Sequence, residues 1–102
     1  MKEISDRLLF EFYQDILIKR GTVIMSMRFN DDLSLTEIAE NVGISKQGVK
    51  DYIDRSMAKI RKLEASTGAY HKYRKAADFL TELSEKADKD LARKINKFLE
   101  DF

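Results

Sequence analysis

The stretch Ser34-Leu-Thr-Glu-Ile-Ala-Glu-Asn-Val-Gly-Ile-Ser-Lys-Gln-Gly-Val-Lys-Asp-Tyr-Ile-Asp-Arg55 decides the fold. Its apolar residues Ile38, Val42, Ile44, Val49, Tyr52 and Ile53 are spaced for a pair of helices held against a further one. Ser34 and Glu37 stand in the S-x-x-E relation of a capping box, in which the hydroxyl accepts from a free first-turn amide and the glutamate reaches back, so a helix is expected to begin at Leu35. Ala39 falls where the helices cross most closely, and only a small side chain fits there. Gly43 can end the first helix, because glycine adopts a left-handed conformation without steric cost, which places the turn at Asn41–Ile44. Ser45 is a natural cap for the second helix. These are the parts of a helix-turn-helix, whose second helix is the element presented to a duplex groove. Two amphipathic helices joined by a glycine turn would show the same pattern without binding anything, since geometry specifies a fold and not a ligand.

Charge is distributed unevenly around this stretch. Overall the chain is nearly neutral, with 19 Lys and Arg against 18 Asp and Glu, short of the strongly basic balance of many nucleic-acid binders. Residues 45–62, however, carry six cations against Asp51 and Asp54, a net of +4, whereas residues 21–44 carry a net of −3. On a groove-binding reading Ser45, Lys46, Gln47, Lys50 and Arg55 face groove and backbone, with Gln47 as the base-reading candidate, and Lys59, Arg61 and Lys62 meet phosphates. Duplex DNA is the first ligand expected and RNA the second. Asp51 and Asp54 oppose this reading, because a helical wheel places them outward beside Gln47, where they repel phosphate. A second basic cluster, Tyr70-His-Lys-Tyr-Arg-Lys75, interleaves aromatic and cationic residues as RNA-binding surfaces do. Tyr70 and Tyr73 also fit an apolar seam, and packing is the preferred reading for them.

A length of 102 residues suits one helical domain, with a four-helix part over residues 1–65 and a helical tail over 69–102. The absence of proline and the scarcity of glycine favour long helices. Ser5 or Asp6 can cap a first helix running to about Lys19, with a wide apolar face from Leu8 to Leu17. Gly21 is expected to mark the break, and residues 22–30 a second helix that packs Val23, Ile24, Met27 and Phe29 under the helix-turn-helix. The helix from Lys46 is expected to run to about Ala65 and to stop at Ser66-Thr67-Gly68. Beyond it Tyr70, Tyr73, Ala77, Leu80, Leu83, Ala87, Leu91, Ile95, Phe98 and Phe102 recur every three or four residues as a narrow seam. Asp88 offers a cap, giving either two helices broken near 86–89 or one bent helix. The seam and the first helix's wide face together suggest self-association as a homodimer.

Several chemistries are set aside. Without cysteine there is no disulfide, thiolate zinc site or cysteine nucleophile, which fits a reducing compartment. No apolar run approaches the roughly 18 residues of a membrane span and the N-terminal residues lack a signal-peptide pattern, so a cytoplasmic protein without membrane contact is expected. Adjacent Asp31 and Asp32 point apart in a turn with no third ligand near, and His71 is the only histidine, so no metal site is expected. Ser34 and Ser45 are explained by capping. Neither a Walker loop nor a G-x-G-x-x-G occurs. No enzymatic activity and no cofactor are expected.

With Leu9-Phe-Glu-Phe-Tyr-Gln, Asp31-Asp-Leu-Ser-Leu-Thr-Glu-Ile-Ala-Glu, Ser45-Lys-Gln-Gly-Val-Lys-Asp and Arg55 in this order, the chain resembles the YlxM-like family of small bacterial helix-turn-helix proteins. The likeness is close over residues 7–65 and holds in character only along the tail. It implies an all-α fold with a helix-turn-helix of the sigma factor region 4 type. It also implies a regulatory protein connected with the signal recognition particle, a link that rests on the chromosomal neighbourhood of the family's genes. The alternative is an accessory that binds protein or RNA of that particle and keeps the helix-turn-helix as scaffold. The chain departs from the family pattern at Leu17-Ile-Lys-Arg-Gly-Thr, where a capping residue is lost, at Gly48, commonly alanine, and at Asp54, where a basic residue is expected.

Overall fold

The computed structural model describes residues 4–101, and of Lys19 and Arg20 the backbone alone. All regular structure among the described residues is helical. The chain forms two compact units that divide between Ser66 and Thr67.

In the first unit, helix α1 spans Asp6–Tyr13, with the Ser5 hydroxyl accepting from the Leu8 amide at 3.3 Å. It buries Leu9, Phe10 and Tyr13. The Tyr13 hydroxyl donates to the Glu64 carboxylate at 2.6 Å, and the Phe10 ring stacks on Phe29 with centroids 5.9 Å apart. α1 is shorter than its apolar pattern suggests. A 3-10 turn takes over at Gln14–Ile16, the backbone is extended at Leu17 and Ile18, and α2 runs over Lys19–Phe29. The break therefore precedes Gly21 instead of falling on it, and helix 22–30 begins earlier than expected.

The correction has a packing reason. Gly21 is buried inside the first turn of α2 and faces Tyr52, where an added methyl would make an ordinary contact at 3.5 Å. Gly21, Ile24 and Met25 then share the inward stripe of the helix. Val23 is turned outward, 44% exposed, against the expectation that it packs beneath the helix-turn-helix, while Met25 is fully buried. Ile18, at the N-cap, makes no side-chain cap bond, which accords with the missing capping residue.

Helix α3, Leu35–Val42, begins with both halves of the capping box in place: Glu37 N–H donates to Ser34 Oγ at 3.1 Å and Ser34 N–H to Glu37 Oε1 at 3.0 Å. The Ser34 amide bond to the Glu37 carboxylate stabilises its ionised form, with a smaller contribution from the Ser34 hydroxyl, so Glu37 titrates below its ordinary value. Gly43 closes the helix at φ +79°, its amide donating to the Ala39 carbonyl at 2.9 Å. Helix α4 follows over Lys46–Thr67. Fully buried Ile24, Ile38 and Val49 form the centre, one from each of α2, α3 and α4, and Leu33, Ala39, Val42, Ile44, Tyr52 and Ile53 pack around them. Each such side chain contributes on the order of 1.5–3 kcal/mol by leaving water.

In the second unit, Gly68 at φ +60° precedes helix α5, Ala69–Lys86, and helix α6 covers Lys89–Glu100. Asp88 caps α6 by accepting from the Leu91 amide at 2.8 Å, so the tail is two helices and not one bent helix. They pack together as a hairpin. Tyr70 is buried and Tyr73, Ala77, Leu80, Ala87 and Ile95 are half-buried along the seam, whereas Leu83, Leu91 and Phe98 remain exposed. Phe102 lies outside the described residues. No helix among those described is long and apolar enough to cross a membrane.

Candidate nucleic-acid interface

The start of α4 is fixed by Ser45, whose hydroxyl accepts from the Gly48 amide at 3.0 Å and whose carbonyl accepts from the Val49 amide at 3.0 Å. A buried Val49 then orients the helix, and Lys46, Gln47, Lys50, Asp51 and Asp54 are left exposed. Gln47, Lys50, Asp51 and Asp54 fall at i, i+3, i+4 and i+7, one stripe of the helix. The stripe neutralises itself. Gln47 Nε2 donates to Asp51 Oδ1 at 3.0 Å, and Lys50 Nζ lies 2.6 Å from Asp54 Oδ2. The hydrogen bond and charge of Asp54 hold the Lys50 ammonium above its ordinary pKa. Exposed pairs of this kind exchange readily with water, so both donors are available to a stronger acceptor such as phosphate.

Further along α4, Arg55 stacks over the Tyr52 ring at 5.6 Å and donates from Nε to the Asp51 carbonyl at 3.4 Å. Lys59 and Lys62 are exposed and lie in line with it at i+4 and i+7. From Gln47 to Lys62 the helix advances about 22 Å, so a groove that receives the N-terminal turns leaves Lys59 and Lys62 beside the backbone.

Arg61 stands apart from the other basic residues. It is half-buried, and its guanidinium donates to the Ile4 carbonyl at 3.0 Å and to the Asp6 carboxylate, tying α4 to the start of α1. These bonds give Arg61 a part in holding the fold that the other basic residues of α4 do not share. Among the other acidic residues considered, Asp32 holds a positive φ of 55° in its turn and pairs with Arg7 at 2.8 Å. No cluster of His, Cys, Asp or Glu suited to a metal occurs among the described residues. Sequence spacing already places Gln47–Asp51 and Lys50–Asp54 at the i,i+4 separation of helical pairs, a signal that charge counting passes over.

A capped α3, a left-handed glycine turn and an outward α4 packed on a shared core define a helix-turn-helix protein. The chain belongs to the family described as "Putative helix-turn-helix protein, YlxM / p13 like", which matches residues 1–100. It is similar to the UPF0122 protein of Halalkalibacterium halodurans, 36% identical over 88 residues, covering 86% of this chain and 81% of the relative. A UPF0122 protein of Listeria monocytogenes is 35% identical over 82 residues, 80% of this chain and 74% of that one. In a UPF0122 protein of Acetivibrio thermocellus the identity is 44% over 66 residues, 65% and 56% of the two chains.

Proposed function

We propose that the protein is a regulatory nucleic-acid binder, with duplex DNA as its first ligand and RNA as its second, acting in the signal recognition particle pathway. The observation that carries the reading is the exposed face of α4: Ser45, Lys46, Gln47 and Lys50 at its N-terminal turns and Arg55, Lys59 and Lys62 beyond them. Gln47 offers an amide for base edges once it exchanges Asp51 for a base, and the cations supply sequence-independent phosphate contacts. The link to the particle comes from the family resemblance alone.

A second reading has its own support. The Lys50–Asp54 and Gln47–Asp51 pairs take charge and donors off the face that would enter a groove. This favours an accessory of the particle in which the helix-turn-helix is scaffold and the cationic end of α4 meets a protein or RNA partner. Fluorescence anisotropy of the full chain, titrated at several salt concentrations against labelled duplex DNA, the particle's RNA and its protein subunit, separates the two. Salt-dependent DNA binding supports the first reading. Capture of the protein subunit, with no binding to duplex at low salt, replaces it with the second.

A further inference from the structure

A groove of about 270 Å³ opens between the start of α2 and the middle of α4. Leu17, Gly21 and Tyr52 make its apolar floor, Ile18 stands 66% exposed at its edge, Ser56 lies within it, and Arg55 and Lys59 are at the rim, with no carboxylate among the lining residues. We propose that this groove binds a small organic acid: an apolar body on the floor and one carboxylate at the rim.

Three features point to a ligand of this chemistry. Ser56 is only 9% exposed, lines the groove, and its hydroxyl makes no hydrogen bond to any described residue. No buried side-chain polar atom among the described residues lacks a partner, so this hydroxyl is reached by water from the groove and can exchange that water for a bound carboxylate. Arg55 and Lys59 lie one turn apart on the same rim, and neither has a carboxylate within ion-pair distance among the described residues; Arg55 is held on the Tyr52 ring and the Asp51 carbonyl, so both cations can take a carboxylate without breaking an ion pair.

Gly21 is the third feature. An added methyl would lie 3.5 Å from Tyr52 Cε1, 3.7 Å from Ile18 Cγ1 and 3.8 Å from Ser56 Oγ, all ordinary contacts. Alanine is the better helix former and the protein's own packing would accept it. What glycine keeps is open space on the groove floor, next to the unbonded hydroxyl. A bare inorganic anion would satisfy the rim and leave that floor wet, whereas an acid with a phenyl or short alkyl body fills both.

Such a ligand occupies Arg55 and Lys59, which the nucleic-acid surface also uses. Bound acid therefore lowers nucleic-acid affinity, a consequence that rests on the proposed function, whereas binding of the acid does not.

The test is a nitrogen-15 amide titration of the full chain with phenylacetate and octanoate, against acetate and benzyl alcohol as charge-only and body-only controls. Shifts confined to Leu17, Ile18, Gly21, Tyr52 and Ser56, with both controls at least tenfold weaker, are the expected result. Gly21→Ala should melt no lower than the parent and bind either acid at least tenfold more weakly, and the surface change Lys59→Gln should also lose at least tenfold. The site is refuted if neither acid gives localised shifts, if benzyl alcohol binds as well as phenylacetate, or if Lys59→Gln leaves the affinity unchanged. Adding saturating acid to a DNA titration should raise the apparent Kd. Acid binding with unaltered DNA affinity rejects the shared cations, and acid binding by a chain that binds no DNA or RNA leaves the groove standing while the nucleic-acid reading falls.

Discussion

Ser34 and Glu37 show how little sequence a local structure needs. The reciprocal bonds that Ser34 and Glu37 make are short-range and depend on residue type, which is why the start of α3 is legible before any tertiary contact is known. Ser34→Ala should lower stability by about 1 kcal/mol in a urea melt with unchanged slope. Glu37 titrates lower folded than unfolded, so its contribution is fully present above the unfolded value, roughly pH 4.3, and is lost as the pH falls through the folded one. Melts of the parent and of Glu37→Gln should thus differ at neutral pH and converge in acid; a difference that persists in acid would contradict the cap. On α4, Asp51 and Asp54 are legible as carboxylates beside Gln47, but their use as internal partners of Gln47 and Lys50 shows only in the geometry. Replacing both with asparagine should strengthen DNA binding by roughly fivefold, read by anisotropy at low salt. Arg61 carries the opposite lesson. It sits in the basic run by sequence, and only the docking of α1 reveals that the Ile4 carbonyl and Asp6 hold it.

At the scale of elements, the helices that begin at a capping side chain or at the Gly68 turn were readable, and α2, which begins at Ile18 with neither, was not. Gly43 and Asp88 terminate or initiate helices through backbone and side-chain chemistry of their own. The junction of α1 and α2 has no such signal: Leu17 and Ile18 turn extended although both are apolar, and the nearby Gly21 lies buried inside α2, facing Tyr52 on α4, instead of breaking the helix. Long-range packing outweighs the local punctuation there. The helix-turn-helix core, by contrast, was visible as periodicity, and Ile38 and Val49 lie at its centre without exposure. Ile38→Asp or Val49→Asp puts an unpaired charge among Ile24 and its neighbours and should cost about 4 kcal/mol or more, enough to unfold the domain. A circular-dichroism melt in which either variant matches the parent would remove that residue from the core.

For the whole molecule, the exposed apolar residues of the second unit set the expectation. Phe79, Leu83, Leu91 and Phe98 stay open to solvent on the hairpin of α5 and α6. A surface of this kind favours association, and light scattering at high concentration should give twice the chain mass of 11.9 kDa. A mass that stays at 11.9 kDa would dispose of the dimer. Composition bounded this level least, because a net charge of +1 hides the segregation of cations onto α4. That segregation is what the proposed binding surface depends on, and the salt dependence of DNA affinity tests it most directly. Log affinity against log salt should fall steeply for the parent, and Lys59→Ala and Lys62→Ala should each reduce the slope by roughly one unit, since each phosphate contact releases a counterion. Slopes identical in parent and variants, with charge reversal at Lys59 and Lys62 abolishing capture of a protein partner instead, would contradict nucleic-acid binding by α4.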